Sequence, residues 1–447
     1  MASAVEQLAK NSNWGSFRKA TELKQRIIFV IGALLVYRLG TYIPIPGIDP
    51  TAWNDIFTEK GGGILDMFNM FSGGALSRMT IFALNIMPYI SASIIMQLGT
   101  AMSKHLEELK KEGETGRMKI NQYTRYLTVL LATVQAYGMA VGLEASGAVI
   151  SPGIFFKVST VITIVGGTIF LMWLGEQITS RGVGNGISLI IFAGIVAELP
   201  RAIASTLELT RQGTFNGFEL LMLVVMIVGV IGLIVFVERA QRRVIVQYPK
   251  RQQGNKMSAG ETNHIPLKLN TAGVIPPIFA SSLLLLPLTV VGFSGLSEGS
   301  DIWSDITRYL QHGQPLYMIL YGALIAFFCF FYTAIVFNPE ENADTLRKYG
   351  GFIPGIRPGK STANYLDHVL TRISVIGAIY LVFICLLPEL LIAKYNMPFY
   401  FGGTSLLIVV SVTMDTVAQV HSHMIAHQYE GLIKKTKLRG RSRASRR

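Results

Sequence analysis

The sequence predicts an all-α polytopic membrane protein with ten transmembrane helices. Half of its 447 residues are hydrophobic and only 15% are charged, a balance foreign to a soluble enzyme. Ten apolar runs, counted as ten crossings, recur along the chain, at roughly Ile27 to Tyr42, Met79 to Met102, Thr124 to Leu143, Ile154 to Gln177, Gly186 to Leu199, Phe218 to Val237, Gly273 to Phe293, Tyr317 to Phe337, Ile373 to Ile392 and Gly403 to Ile425. A further apolar segment is too short to cross.

The first run follows a polar stretch containing Arg18, Lys19, Lys24 and Arg26, and no small-residue cleavage site comes after it. It reads as a retained span rather than a signal peptide. The short segment comes next. Gly62 to Ser72 gives less than about 18 Å of helix, against a hydrocarbon core of about 30 Å, and Gly73-Gly74 joins it to the second run. The piece therefore dips in and turns back. Irregular backbone at that depth must be shielded by protein or line an aqueous cavity, which suggests a channel or a carrier.

An even number of crossings puts both termini on one side. Of 40 Lys and Arg residues, 32 fall in the N-terminal stretch, the segments 103–125, 177–184, 239–270 and 338–372, and the tail, leaving 8 elsewhere. The positive-inside rule makes the first set cytoplasmic. Cys329 and Cys385 lie in separate apolar spans, where each acts as a small apolar residue.

Two cytoplasmic loops stand out. In the first, 239–270, the alternation of Val244, Val246 and Tyr248 predicts one strand of a hairpin, with Pro249 and Gly254 near its tip. The second, 338–372, carries Gly350-Gly351 and Gly355-Ile356-Arg357-Pro358-Gly359-Lys360. Orientation alone explains the sign of their charge, and a docking surface for an acidic or nucleic-acid partner explains their length as well. The tail from Lys434 to Arg447 carries eight cations and no acid, and is expected to be disordered near anionic headgroups.

Chemistry-bearing constellations are scarce. The segment Gly355 to Ser361 resembles a phosphate loop but is one residue short, and Pro358 interrupts the backbone nest. His421, His423 and His427 lack a further ligand at suitable spacing and read as interfacial side chains. Ionisable groups are nearly absent from the span cores, which argues against proton- or sodium-coupled transport. No catalytic residue, metal or cofactor is expected. Ile86 and Ile90, and likewise Ile187 and Ile191, stand four residues apart. Stiff β-branched pairs of this kind could converge in a hydrophobic constriction, or simply face lipid.

Many longer motifs resemble the SecY family, the large subunits of the bacterial protein-conducting channel. They include Y-I-P-I-P-G-I-D at 42–49, M-F-N-M-F-S-G-G-A-L-S-R at 67–78, I-M-P-Y-I-S-A-S-I-I at 86–95, G-N-G-I-S at 184–188, Y-P-K-R-Q-Q-G at 248–254, A-G-V-I-P-P-I-F-A at 272–280, G-I-R-P-G at 355–359 and F-Y-F-G-G-T-S-L-L-I-V-V at 399–410. The resemblance implies two pseudosymmetric five-helix halves, 1–205 and 206–425, around a central hourglass pore, followed by a basic tail, 426–447. It also implies a pore ring of Ile86, Ile90, Ile187, Ile191, Ile278 and Ile408.

By the same resemblance a re-entrant plug comprises Gly62, Gly63, Ile64, Leu65, Asp66, Met67, Phe68, Asn69, Met70, Phe71 and Ser72, a stopper hinged at Gly73-Gly74. A lateral gate between spans two and three and spans seven and eight carries the polar residues Ser93, Gln97, Gln135 and Asn270. Lys250, Arg251, Lys268, Arg357 and Tyr429 would contact the SecA ATPase or a ribosome, although Asn255 and Lys256 make the first loop's tip less basic than is usual in the family.

The other implied partners are the small subunits SecE and SecG, signal sequences and nascent polypeptides, membrane lipids, and SecDF and YidC. The implied function is a passive channel of the bacterial plasma membrane that secretes unfolded preproteins and releases transmembrane segments into lipid. A small-solute secondary transporter is the alternative, followed by a membrane scaffold without a pore.

Overall fold

The structure is a computed structural model that describes residues 21–60, 69–212, 217–249, 252–253, 256–257, 262–293, 314–395 and 403–444. Ten of its helices carry the ten apolar runs: α1 (Thr21–Gly40), α3 (Met87–Met102), α5 (Glu114–Ser146), α6 (Ile154–Arg181), α7 (Gly186–Arg211), α8 (Gly217–Arg239), α9 (Ile275–Phe293), α10 (Pro315–Val336), α12 (Lys360–Tyr395) and α13 (Gly403–Ala444). Three shorter helices flank them: α2 (Pro50–Lys60), α4 (Lys104–Lys111) and α11 (Pro339–Lys348). Asp49 introduces α2 by accepting from the Thr51 hydroxyl at 2.6 Å and the Thr51 amide at 2.9 Å, bonds that hold its carboxyl below the usual range.

The second run departs from expectation. It was expected to be helical from Met79, yet α3 starts only at Met87 and has 16 residues, about 24 Å of helix. Residues 72–86 instead form successive turns, with positive φ at Met79 (45°) and Asn85 (49°), and Pro88 sits in the first turn of the helix that follows. Nearly all of that stretch is buried, so protein shields its irregular backbone from lipid.

The ten spans form two groups of five that meet along two seams. Within the first group α5 packs on α3 and α6, and α7 on α6 and α1; within the second α10 packs on α9 and α12, and α13 on α12 and α8. At one seam α9 lies against α3 and α5, and at the other α13 lies against α7 and α1. Gln419 Oε1 accepts from the Gly184 amide across the second seam at 2.8 Å. The fifth span runs to Arg211, so the link between the groups follows the boundary expected at 205.

The two long basic loops form one small body. Strand β1 (Gln241–Gln247) pairs antiparallel with β4 (Thr262–Lys268), and β2 (Gln252–Gln253) with β3 (Lys256–Met257) extends the hairpin. The second loop joins its edge, where Gln247 and Phe352 exchange backbone hydrogen bonds of 2.9 and 3.0 Å. Val244 and Val246 bury one face of β1 against Ile353, Leu366, Val369 and Leu370. The tail, expected to be disordered, continues α13 as far as Ala444. Its Lys, Arg, Leu and Ala residues are good helix formers, and no proline interrupts them.

Candidate functional site

The six isoleucines lie on or beside four of the six helices that make the seams. Ile86 precedes the first turn of α3 and its carbonyl accepts from the Ile90 amide at 3.2 Å; Ile187 and Ile191 open α7 after the Asn185 cap; Ile278 lies on α9 and Ile408 on α13. Ile86 and Ile408 are fully buried, and Ile90, Ile191 and Ile278 are buried in the same apolar cluster, against which the half-buried Ile187 packs. All six thus lie in, or pack on, one large apolar core that both groups of helices share.

Of the expected plug, Gly62 to Phe68 lie outside the described residues. Its described end, Asn69 to Ser72, is folded against both groups of helices. Asn69 Oδ1 accepts from the Ser77 amide at 2.9 Å, and the Asn69 carbonyl from the Gly74 amide at 2.9 Å. The Ser405 hydroxyl on α13, three residues from Ile408, points at Met70 Sδ at 3.6 Å. Three successive carbonyls are then capped by side chains: Phe71 by Asn85 Nδ2 at 2.5 Å, Ser72 by the Tyr37 hydroxyl at 3.2 Å and Gly73 by an Arg38 guanidinium nitrogen at 2.6 Å.

Both glycines that follow have positive φ, 66° and 80°, and neither has space for a Cβ. At Gly73 it would meet the Gly194 Cα of α7 at 3.0 Å, and at Gly74 it would collide with the Glu198 carboxylate. Arg78 lies 3.7 Å from Glu198 and its guanidinium stacks 4.2 Å from the Tyr42 ring centroid; Arg38 sits 5.1 Å from the same centroid.

At the α9 seam, Ser93 and Gln97 hydrogen-bond each other on α3 at 3.3 Å, so this pair lies within one helix and not across the seam. Gln135 is buried on α5, and its Oε1, like that of Gln97, has no protein partner. Asn270 turns to the C-terminal end of α8, donating to Glu238 at 2.7 Å and to the Gly273 carbonyl at 3.0 Å while accepting from the Gly273 amide at 3.0 Å. It fixes the approach to α9.

Among the expected docking residues, Lys268 at the end of β4 and Arg357 in the second loop are exposed on the body that the two loops form. Lys250 and Arg251 lie outside the described residues, as does the side chain of Tyr429. Sequence patterns did not single out Tyr37, Asn85, Gly194 or Glu198. The one available signal was Arg38, a cation at the end of an apolar span, where charge is costly unless it is paired.

Ten apolar helices in two groups that meet along two seams, sharing one apolar core, define a polytopic membrane protein. The profile of the SecY family matches residues 80–417. The chain belongs to the SecY family. It is 57% identical over 426 residues to the protein translocase subunit SecY of Escherichia coli, covering 94% of this chain and 96% of the relative. It is 56% identical over 429 residues to that of Rickettsia conorii, covering 95% and 99%. Its fold is similar to a solved protein-conducting channel, with a TM-score of 0.66 at 19% identity over 89% of this chain and 92% of that one. It is also similar to Sec61 in a canine ribosome-channel complex, with a TM-score of 0.62 at 18% identity over 89% and 92%.

Proposed function

We propose that the chain is the pore-forming subunit of the general secretory channel, passing unfolded preproteins across the bacterial plasma membrane and releasing apolar segments sideways into lipid. The observation that supports this reading is that isoleucines on or beside α3, α7, α9 and α13 all belong to, or pack on, the apolar core shared by the two groups of helices. A ring of Ile86, Ile90, Ile187, Ile191, Ile278 and Ile408 yields to a moving chain and seals against it by apolar contact without sequence preference. The stretch 62–72 is the plug that closes the pore at rest. Both termini are cytoplasmic, in keeping with the distribution of cations.

The seam of α9 against α3 and α5 is the lateral gate. Few interhelical hydrogen bonds hold it, each worth only about 0.6–2 kcal/mol, so an apolar signal sequence can compete for it. No reaction is catalysed. The driving force comes from the SecA ATPase or a translating ribosome, which docks on the joined cytoplasmic loops through Lys250, Arg251, Lys268 and Arg357 and on the tail through Tyr429. SecE, SecG, SecDF and YidC are the membrane partners. Polar replacement of Ile86 or Ile191 tests the ring: in reconstituted vesicles these variants should admit preproteins with weakened signal sequences. Unchanged selection in both would refute it.

A further inference from the structure

The clamp on residues 71–73 assigns a mechanical role to its donors, an inference that rests on the plug reading above. We infer that Tyr37, Arg38 and Asn85 are positioning residues that fasten the plug's base to the first group of helices, so that Gly73-Gly74 is a fixed seat and not the hinge.

Three observations carry this. First, the carbonyls of Phe71, Ser72 and Gly73 are each capped by a different side chain, and all three donors belong to the first group: Tyr37 and Arg38 on α1, Asn85 in the turn before α3. A hinge rotates its peptide planes; here three consecutive planes are fixed by bonds that rotation would break. Second, Gly73 and Gly74 serve close approach. The Gly73 backbone rests on the Gly194 backbone of α7, and Glu198 and Arg78 occupy the space beside Gly74, so the turn is packed against α7 and not free of it. Third, the clamp is itself braced. Arg38 and Arg78 both stack on Tyr42, Arg38 donates to the Tyr42 hydroxyl at 3.2 Å, and Arg78 reaches Glu198 on α7 and the Thr41 carbonyl at 3.3 Å.

Against these ties, the described link from the base to the second group is the weak Ser405–Met70 contact. When the two groups part, that contact breaks first and the base travels with α1 and α7. A hydrogen bond from a charged donor is worth roughly 10- to 100-fold in the ratio of seated to released base.

The test uses the full chain with its small subunits in vesicles. Arg38→Ala should raise resting ion conductance about 10-fold or more and Asn85→Ala, which removes a neutral donor, roughly 2- to 10-fold, whereas Arg38→Lys, which keeps a charged donor, should restore most of the seal. A simple packing defect would not be rescued by lysine. As a second arm, an Arg78→Cys/Glu198→Cys pair joined by a short bis-thiosulfonate reagent should translocate preprotein at the uncrosslinked rate, because this joint stays closed during transport. The inference is overturned if Arg38→Ala conducts no more than wild type, or if the crosslink stops transport. Deleting 62–68 separates the two ideas. A leaky deletion beside a tight Arg38→Ala removes only the clamp, and a tight deletion removes the plug reading and the clamp with it.

Discussion

Ile408→Asn puts the hydrophobic seal under the most direct strain. Ile408 is fully buried in the cluster, on the helix that crosses to α7. Fully burying an isoleucine is worth about 1.5–3 kcal/mol, which the substitution forfeits. The new amide, left in an apolar closure, costs a further 1–3 kcal/mol or so, a cost that water entering the pore removes. The two effects act in one direction, biasing the constriction towards its hydrated state by roughly 2.5–6 kcal/mol, or about two to four orders of magnitude in the ratio of open to closed. Resting conductance of the purified channel in planar bilayers reads that ratio. Ile408→Val is the control, since it keeps the apolar surface at a cost of about 0.5–1.5 kcal/mol and should stay tight. If Ile408→Asn conducts no more than Ile408→Val, with both complexes folded and assembled, Ile408 is not part of the seal.

Three further outcomes follow from the same structure. Leu366→Ala, at a fully buried position beneath the joined loops, should destabilise the body they form by about 2–5 kcal/mol, seen as faster proteolysis of 239–270 while resting conductance is unchanged. Asn270→Ala removes the amide shared by Glu238 and the turn into α9, loosening the gate seam; it should admit weaker signal sequences, and unchanged admission would show that α9 is held elsewhere. Binding of the motor ATPase to the face that carries the joined loops should fall as salt rises from about 0.1 M to about 1 M, where screening shortens from roughly 10 Å to 3 Å, and charge reversal at Lys268 and Arg357 should reduce both the affinity and its salt dependence.

The spans and the hairpin were legible because burial leaves a period in the sequence. Ten apolar runs became ten helices, and the alternation of Val244 and Val246 became a strand with one buried face. The start of α3 was not legible, since an apolar run reads alike whether its backbone is helical or turned. What decides it is positive φ at Met79 and Asn85, adopted because Asn85 must reach the Phe71 carbonyl. The joining of the two loops rests on a pairing of Gln247 with Phe352 more than a hundred positions away, which local pattern cannot encode. Family motifs pointed to the isoleucines, whereas spacing alone left them equally compatible with lipid. The carbonyl clamp escaped notice because its acceptors are backbone atoms, which have no signature in residue type.

Import of an unfolded preprotein tests the central claim most directly. The purified chain, reconstituted with its small subunits in sealed vesicles and supplied with motor ATPase and a signal-bearing preprotein, should deliver full-length, protease-protected preprotein when ATP is present and none when it is withheld. Failure to import with every component present, together with saturable uptake of a small solute without the motor, would contradict the account.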